Sequence, residues 1–311
     1  MFTLQYSLKA TIQKAGGDPS GWYVPPWTLE ADQDLNRKIG VKTAILSVTA
    51  PGPQIAKENA VQLARQCNDF QAKIRDEDPA HYGFFACLPD LLNDQEACLG
   101  EIARAFDELA ADGIVIYTRY GSDNHYLGHP DFESIWRELN KRKAVVFVHP
   151  THAVDTNLVN EHLPQPMFDY PHETGRTAID MITRGTTRKF SDVKVILSHA
   201  GGTLPWLIYR AAMLPFTPMD VGLSTEDLIA EAQKFYYDTA LSSGPISITG
   251  LKQLTKPGHI LFGCDFPNAP VGAIQKFAQW SEEADMDEEQ KKSFEYGAGL
   301  ALFPRLQQYY P

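Results

Sequence analysis

Histidine is absent from the first 80 residues of this 311-residue chain, and all nine histidines lie at His81 or beyond. Cysteine is scarce: Cys67, Cys87, Cys98 and Cys264 form no C-x-x-C pair and fall within expected helices or strands. That excludes a disulfide framework and predicts reduced thiols in a cytoplasmic protein. No uninterrupted apolar run reaches the length of a membrane span, and Met1–Ser7 lacks a basic segment followed by an apolar one, so neither a membrane helix nor a secretory leader is expected. Lys and Arg number 28 against 39 Asp and Glu, a net charge of −11 that argues against nucleic acid or an anionic membrane as partner. No glycine-rich phosphate cradle, Ser-His-Asp cue or basic aromatic patch stands out.

What the chain does have is an alternation of short apolar runs and helix-period segments from end to end, the pattern of a parallel sheet wrapped by helices. Seven runs read as strands: 41–48, 82–88, 113–118, 144–149, 193–199, 235–241 and 259–265. Amphipathic helices are expected at 56–76, 94–111, 131–142, 172–190, 203–213, 245–255 and 269–281, with a last helical region at 287–303. Asp94 and Asp131 serve as expected N-caps. The loops 49–54, 119–130 and 150–171 are long, polar and proline-rich, and each follows a strand, as the catalytic mouth of a barrel requires. The fold class is α/β, a distorted TIM (β/α)8 barrel in one domain over 1–311, but one strand short. Residues 1–40 offer only a helix near 4–14, a turn at Gly16–Pro19 and a helix near 28–39, so the missing strand is the first.

Three strands end in residues that carry chemistry. His149 closes Val145–Val148, where a neutral imidazole is a good ligand for Zn or Mn. Asp265 follows an almost wholly apolar run, so its charge calls for a cation or hydrogen-bond donors. His199 precedes Ala200-Gly201-Gly202, glycines that permit a sharp turn or close backbone approach, and a histidine there can move a proton near neutral pH. Asp238 has a supporting place in its strand. His152, three residues after His149, reads as a loop residue, and Arg119, His125, His129, His162 and His172 as mouth-lining or merely solvated.

The motifs VFVHPTH at 146–152, ILSHAGGTLPW at 196–206 and LFGCDFP at 261–267, in this order, resemble the amidohydrolase-related metal-dependent decarboxylases. GGDPSGW at 16–22, TAILSVTAPG at 43–52 and LPQPMFDYPHETGRTA at 163–178 look like the fungal branch of that family acting on 6-methylsalicylate. The resemblance implies one divalent metal, Zn or Mn, and no organic cofactor. It assigns His149 and Asp265 as metal ligands and His199 beside the metal. It places Arg210 where relatives supply an arginine to the neighbouring subunit's substrate, and it implies a homodimer or higher homo-oligomer.

The resemblance also implies a His-x-His or Glu-x-His pair on a first strand, and this chain has neither the pair nor the strand. The two gaps coincide, which leads us to expect an N-terminal truncation, two protein ligands for the metal instead of the usual three, and weak metal retention. The leading expectation for function is non-oxidative decarboxylation of a small aromatic hydroxy acid, with His199 and Asp265 as the catalytic pair. The alternatives are a metal-dependent hydrolase of a lactone or amide, and a catalytically impaired binding protein.

Overall fold

A computed structural model describes residues 3–219 and 221–310. In chain order its strands are β1 (Ala44–Leu46), β2 (Tyr82–Cys87), β3 (Gly113–Tyr117), β4 (Arg119–Tyr120), β5 (His125–Tyr126), β6 (Val145–His149), β7 (Lys194–Leu197), β8 (Tyr236–Asp238) and β9 (Ile260–Leu261), and its first helices are α1 (Thr3–Lys14), α2 (Leu29–Lys38), α3 (Ala60–Glu77), α4 (Gln95–Asp107), α5 (Glu133–Lys141), α6 (Gln165–Thr183), α7 (Thr186–Lys189) and α8 (Leu204–Ala211). Seven of them form one parallel sheet in the order β1-β2-β3-β6-β7-β8-β9, while β4 and β5 pair as a small antiparallel ribbon. All seven expected strands are present, and the sheet is the curled wall of a distorted TIM barrel. Among the described residues no strand joins β9 to β1, so the wall has a seam.

Alternate positions of the central strands serve two faces, as the two-residue period of a strand demands. Phe84, Ala86, Ile114, Ile116, Val146, Val148, Val195 and Leu197 pack under the helices α4 (Gln95–Asp107), α5 (Glu133–Lys141) and α6 (Gln165–Thr183). Phe85, Cys87, Val115, Val145, Phe147 and Ile196 form a second cluster with Leu302, Phe303 and Leu306 from the C-terminal segment. Burial on both faces explains why β2 and β3 read as continuous apolar runs. His149 shares the parity of Val145 and Phe147, so it extends the second face beyond the apolar layer.

Several expectations need correcting. Asp94 caps α4 by accepting the Ala97 amide, but Asp131 caps nothing: it lies inside a 3-10 turn whose cap is His129, and α5 begins at Glu133. The helix expected at 172–190 starts at Gln165, contains Pro171, and breaks at left-handed Gly185 before a further turn at Thr186–Lys189. Thr225–Ala232 forms a helix with a Ser224/Asp227 capping box that the periodicity did not suggest. The region 287–303 is helical but includes a π segment at Ser293–Gly297. Asp238 ends its strand instead of lying within it. No helix of the described residues is long and apolar enough to cross a membrane, and all four cysteines are free thiols.

Candidate active site

The seam and the strand ends open into one cavity of about 1180 Å³, lined by His149, His199, Asp238 and Asp265 at the mouth and by Phe85, Phe147 and Ile196 deeper in. Its other walls are the two free sheet edges, 43–49 and 261–268. The unfilled seam accounts for a volume above the usual range for a small-molecule site.

His149 is 7% exposed, its ring set edge-on to those of Tyr117, Tyr170 and His199, the last with centroids 5.9 Å apart. Its Nδ1–H donates to the Pro150 carbonyl at 2.7 Å, which leaves the lone pair on Nε2. Burial, with the charge of His199 adding to it, pushes the His149 pKa down to about 3, so the ring is neutral at any ordinary pH. A neutral imidazole whose second nitrogen is fixed by a carbonyl is the form that binds a metal.

His199 sits at the turn after β7. It and the next three residues, Ala200, Gly201 and Gly202, all have positive φ, between 54° and 72°. Such a run in non-glycine residues is strained and persists only where the surroundings hold it. Here they do. Asp238 Oδ1 accepts the His199 amide at 3.0 Å and the Ala240 amide at 2.9 Å, and the Ala240 carbonyl accepts from His199 Nδ1 at 2.9 Å. A Cβ at Gly202 would lie 2.0 Å from the Pro171 carbonyl oxygen of α6, so that position must be glycine. Asp238 is thus a positioning residue, and His199 is left with Nε2 free.

Asp265, with φ of 60°, follows β9. Burial raises its pKa to about 6; His199 and an Asn268 hydrogen bond lower it, and the charge of Asp238 raises it further. A half-buried carboxylate that resists ionisation and a neutral imidazole with a free nitrogen suit a divalent cation, so the donor chemistry of His149 and Asp265 fits one.

The remaining expected residues are elsewhere. Arg119, 3% exposed, gives its donors to the carbonyls of His152, Gly121 and Ala153 and lies 4.0 Å from Glu173, so it staples the post-strand loops together. Burial, then the charge of Arg119, lowers the His152 pKa to about 4. His162 and His172 are exposed. Arg210 is exposed on α8 (Leu204–Ala211) and does not line its own chain's cavity. Sequence reasoning missed Tyr170 and Ser20: Tyr170 is 5% exposed against His149, and the fully buried Ser20 accepts the Gln165 amide through its carbonyl, which ties the turn after α1 (Thr3–Lys14) to the start of α6. The only signal was their place in motif-bearing stretches.

Comparison with known proteins supplies the family. The chain is 55% identical over 303 residues to 6-methylsalicylic acid decarboxylase of Penicillium expansum, covering 96% of this chain and 93% of that one. It is 54% identical over 309 residues to the 6-methylsalicylic acid decarboxylase of Aspergillus aculeatus, with the same two coverages. The crystal structure of dihydroxybenzoic acid decarboxylase from Polaromonas, with bound manganese and the inhibitor 2-nitroresorcinol, shares the fold at a TM-score of 0.81 and 22% identity, over 95% of this chain and 93% of that one. The family model described as amidohydrolase matches residues 14–305, and with relatives this similar over almost the whole length, the chain belongs to the amidohydrolase family.

Proposed function

We propose that this protein is a non-oxidative, metal-dependent decarboxylase of a small aromatic hydroxy acid, 6-methylsalicylate or a near analogue, that works without an organic cofactor. The observation that carries the reading is the convergence of His149, His199 and Asp265 on one cavity mouth in a chain 55% identical to a 6-methylsalicylic acid decarboxylase. A divalent metal, Mn or Zn, held by His149 Nε2 and the Asp265 carboxylate, would supply Lewis-acid charge for the substrate's carboxylate and ortho-oxygen.

The chain's own residues do the rest. Tyr170, Tyr117 and Phe147 set their rings edge-on to the imidazole of His149, which fixes its plane. A proton passes to the ring carbon that bears the carboxyl group, from His199 Nε2 or from the Asp265 carboxyl once it has taken up the proton of the substrate's hydroxyl. The new C–H bond takes a ring π pair. The bond to the carboxyl carbon then breaks and returns its pair to the ring as carbon dioxide departs, and solvent restores the donor's proton. Asp238 holds the backbone of His199 through this exchange.

The reading extends to assembly and compartment. On α8 and the turn after it, Trp206, Leu207, Tyr209, Met213 and Phe216 are exposed around Arg210. Aromatic, Met and Arg side chains together suit the face on which a second copy docks, and Arg210 would then reach the neighbour's substrate. Cys67 and Cys87, buried in contact yet both free thiols, support a reducing compartment, the cytoplasm.

The test is incubation of the Mn- or Zn-loaded protein with 6-methylsalicylate, with lactone and amide substrates in parallel. Carbon dioxide and 3-methylphenol in equal amounts are expected. His199→Ala should lower turnover by roughly 10²- to 10⁴-fold with bound metal unchanged. Hydrolysis of a lactone or amide with no carbon dioxide from the acid would replace this reading with the hydrolase.

A further inference from the structure

Outside the mouth, the loop after β3 gathers a second set of metal donors. His125, His129 and Asp131 each offer one ligand atom, and the three atoms lie within 4.8 Å of one another. His125 Nε2 is 3.4 Å from Asp131 Oδ2, and His129 Nδ1 is 3.3 Å from the same oxygen. A tetrahedral ion with bonds of about 2.0–2.1 Å to nitrogen and oxygen spaces its ligands by about 3.3–3.4 Å. Two edges of that tetrahedron are already set.

The protonation of the donors agrees with this geometry. Asp123 Oδ1 accepts from His125 Nδ1, so the lone pair of His125 is on Nε2, the atom that faces Asp131. A carboxylate on the far nitrogen of a histidine ligand is the arrangement that fixes its tautomer and orientation in metal sites. His129 Nδ1 accepts the Asp131 amide at 3.3 Å, a long bond that an ion would displace to take the same lone pair.

The scaffold is rigid where it needs to be. Between the two histidines, the Tyr126 hydroxyl donates to Glu173, the Leu127 amide to Thr177 and the Gly128 amide to Asp180, all on α6, and the Leu127 carbonyl accepts from Trp136 on α5. Beyond them, the Asp131 carbonyl accepts from Gln95. The side chains of the three donors remain partly exposed, at 22%, 28% and 49%, so an ion can enter from solvent.

We propose that His125, His129 and Asp131 form a peripheral site for a borderline divalent transition metal such as Zn²⁺, separate from the mouth and acting to clamp the loop 119–131. Two imidazoles and one carboxylate favour such an ion over Mg²⁺ or Ca²⁺, which take oxygen ligands. None of the three residues takes part in the proposed decarboxylation, so the two readings can fail independently.

The experiment is metal titration of tag-free protein with Zn²⁺, and with Co²⁺ followed by its visible absorption, in four forms: wild type, His125→Ala/His129→Ala, His149→Ala/Asp265→Asn, and all four changes together. One equivalent should bind to the His149→Ala/Asp265→Asn protein and be lost, or weakened at least 10-fold, when His125 and His129 are also replaced. Hydrogen exchange across 119–131 should slow on adding Zn²⁺ to the wild type and not to His125→Ala/His129→Ala. That comparison decides the matter if the mouth variants fail to fold. Equal stoichiometry, affinity and loop exchange with and without the two histidines would overturn the proposal.

Discussion

At Asp265 two demands meet on one carboxyl group. It binds a cation only when ionised, yet burial holds its proton up to about pH 6, against the opposing pull of His199 and Asn268. His149 does not compete for protons in that range, because burial keeps it neutral down to about pH 3. The sign follows: metal displaces a proton from Asp265, so apparent affinity falls as pH drops through about 6, by about tenfold per unit below it. Calorimetric Mn²⁺ titrations from pH 5 to 8 should show this slope, and Asp265→Asn should flatten it while weakening binding throughout. A slope that survives Asp265→Asn would assign the proton to another ligand. His149 and Asp265 were legible in the sequence because a polar residue at the end of an apolar strand breaks a pattern. Tyr170 breaks none, since it lies in a proline-rich stretch that reads as loop, and neither it nor Ser20 stood out.

The turn after β7 shows how an element places a residue. Four successive positive φ values swing His199 toward the cavity, and Gly202 packs its α-carbon against α6 with no room for a methyl group. Gly202→Ala should therefore destabilise the fold by about 1–3 kcal/mol, the range for a residue forced into such a conformation, and reduce turnover along with it. Denaturant unfolding measures the first and carbon dioxide release the second; unchanged stability would mean that the loop can shift freely. The Gly201-Gly202 pair was readable as a turn, but its partner, the carbonyl of Pro171, was not. Pro171 disguises a helix as a loop, and the true start at Gln165 lies before it. The β4–β5 ribbon and the helix Thr225–Ala232 escaped for a simpler reason: two-residue strands and an eight-residue helix are too short to establish a period.

For the molecule as a whole, the alternation of apolar runs and helices dictated the parallel sheet, and the expected count of seven strands is the count of that sheet among the described residues. The seam between β1 and β9 was equally foreseeable, because no run in residues 1–40 has strand character. What no pattern revealed is how the seam merges with the mouth into one cavity, since that depends on packing between distant segments such as Thr43–Thr49 and Leu261–Asn268. Nor does the sequence reveal that α8 leaves Trp206 56% exposed beside Arg210. If that face docks a second copy, Trp206→Glu should shift the mass seen by light scattering to the monomer and lower turnover, whereas Arg210→Ala should lower turnover with the mass unchanged. A monomeric wild type would remove Arg210 from the site.

The reaction itself leaves a mark at the carbon that loses the carboxyl group. Run in D₂O with 6-methylsalicylate, the Mn-loaded protein should yield 3-methylphenol with one deuterium, at the ring carbon between the hydroxyl and the methyl group, as read by proton NMR. Methylphenol without deuterium at that carbon, or no methylphenol from protein shown to hold metal, would contradict decarboxylation by protonation of the ring at this mouth.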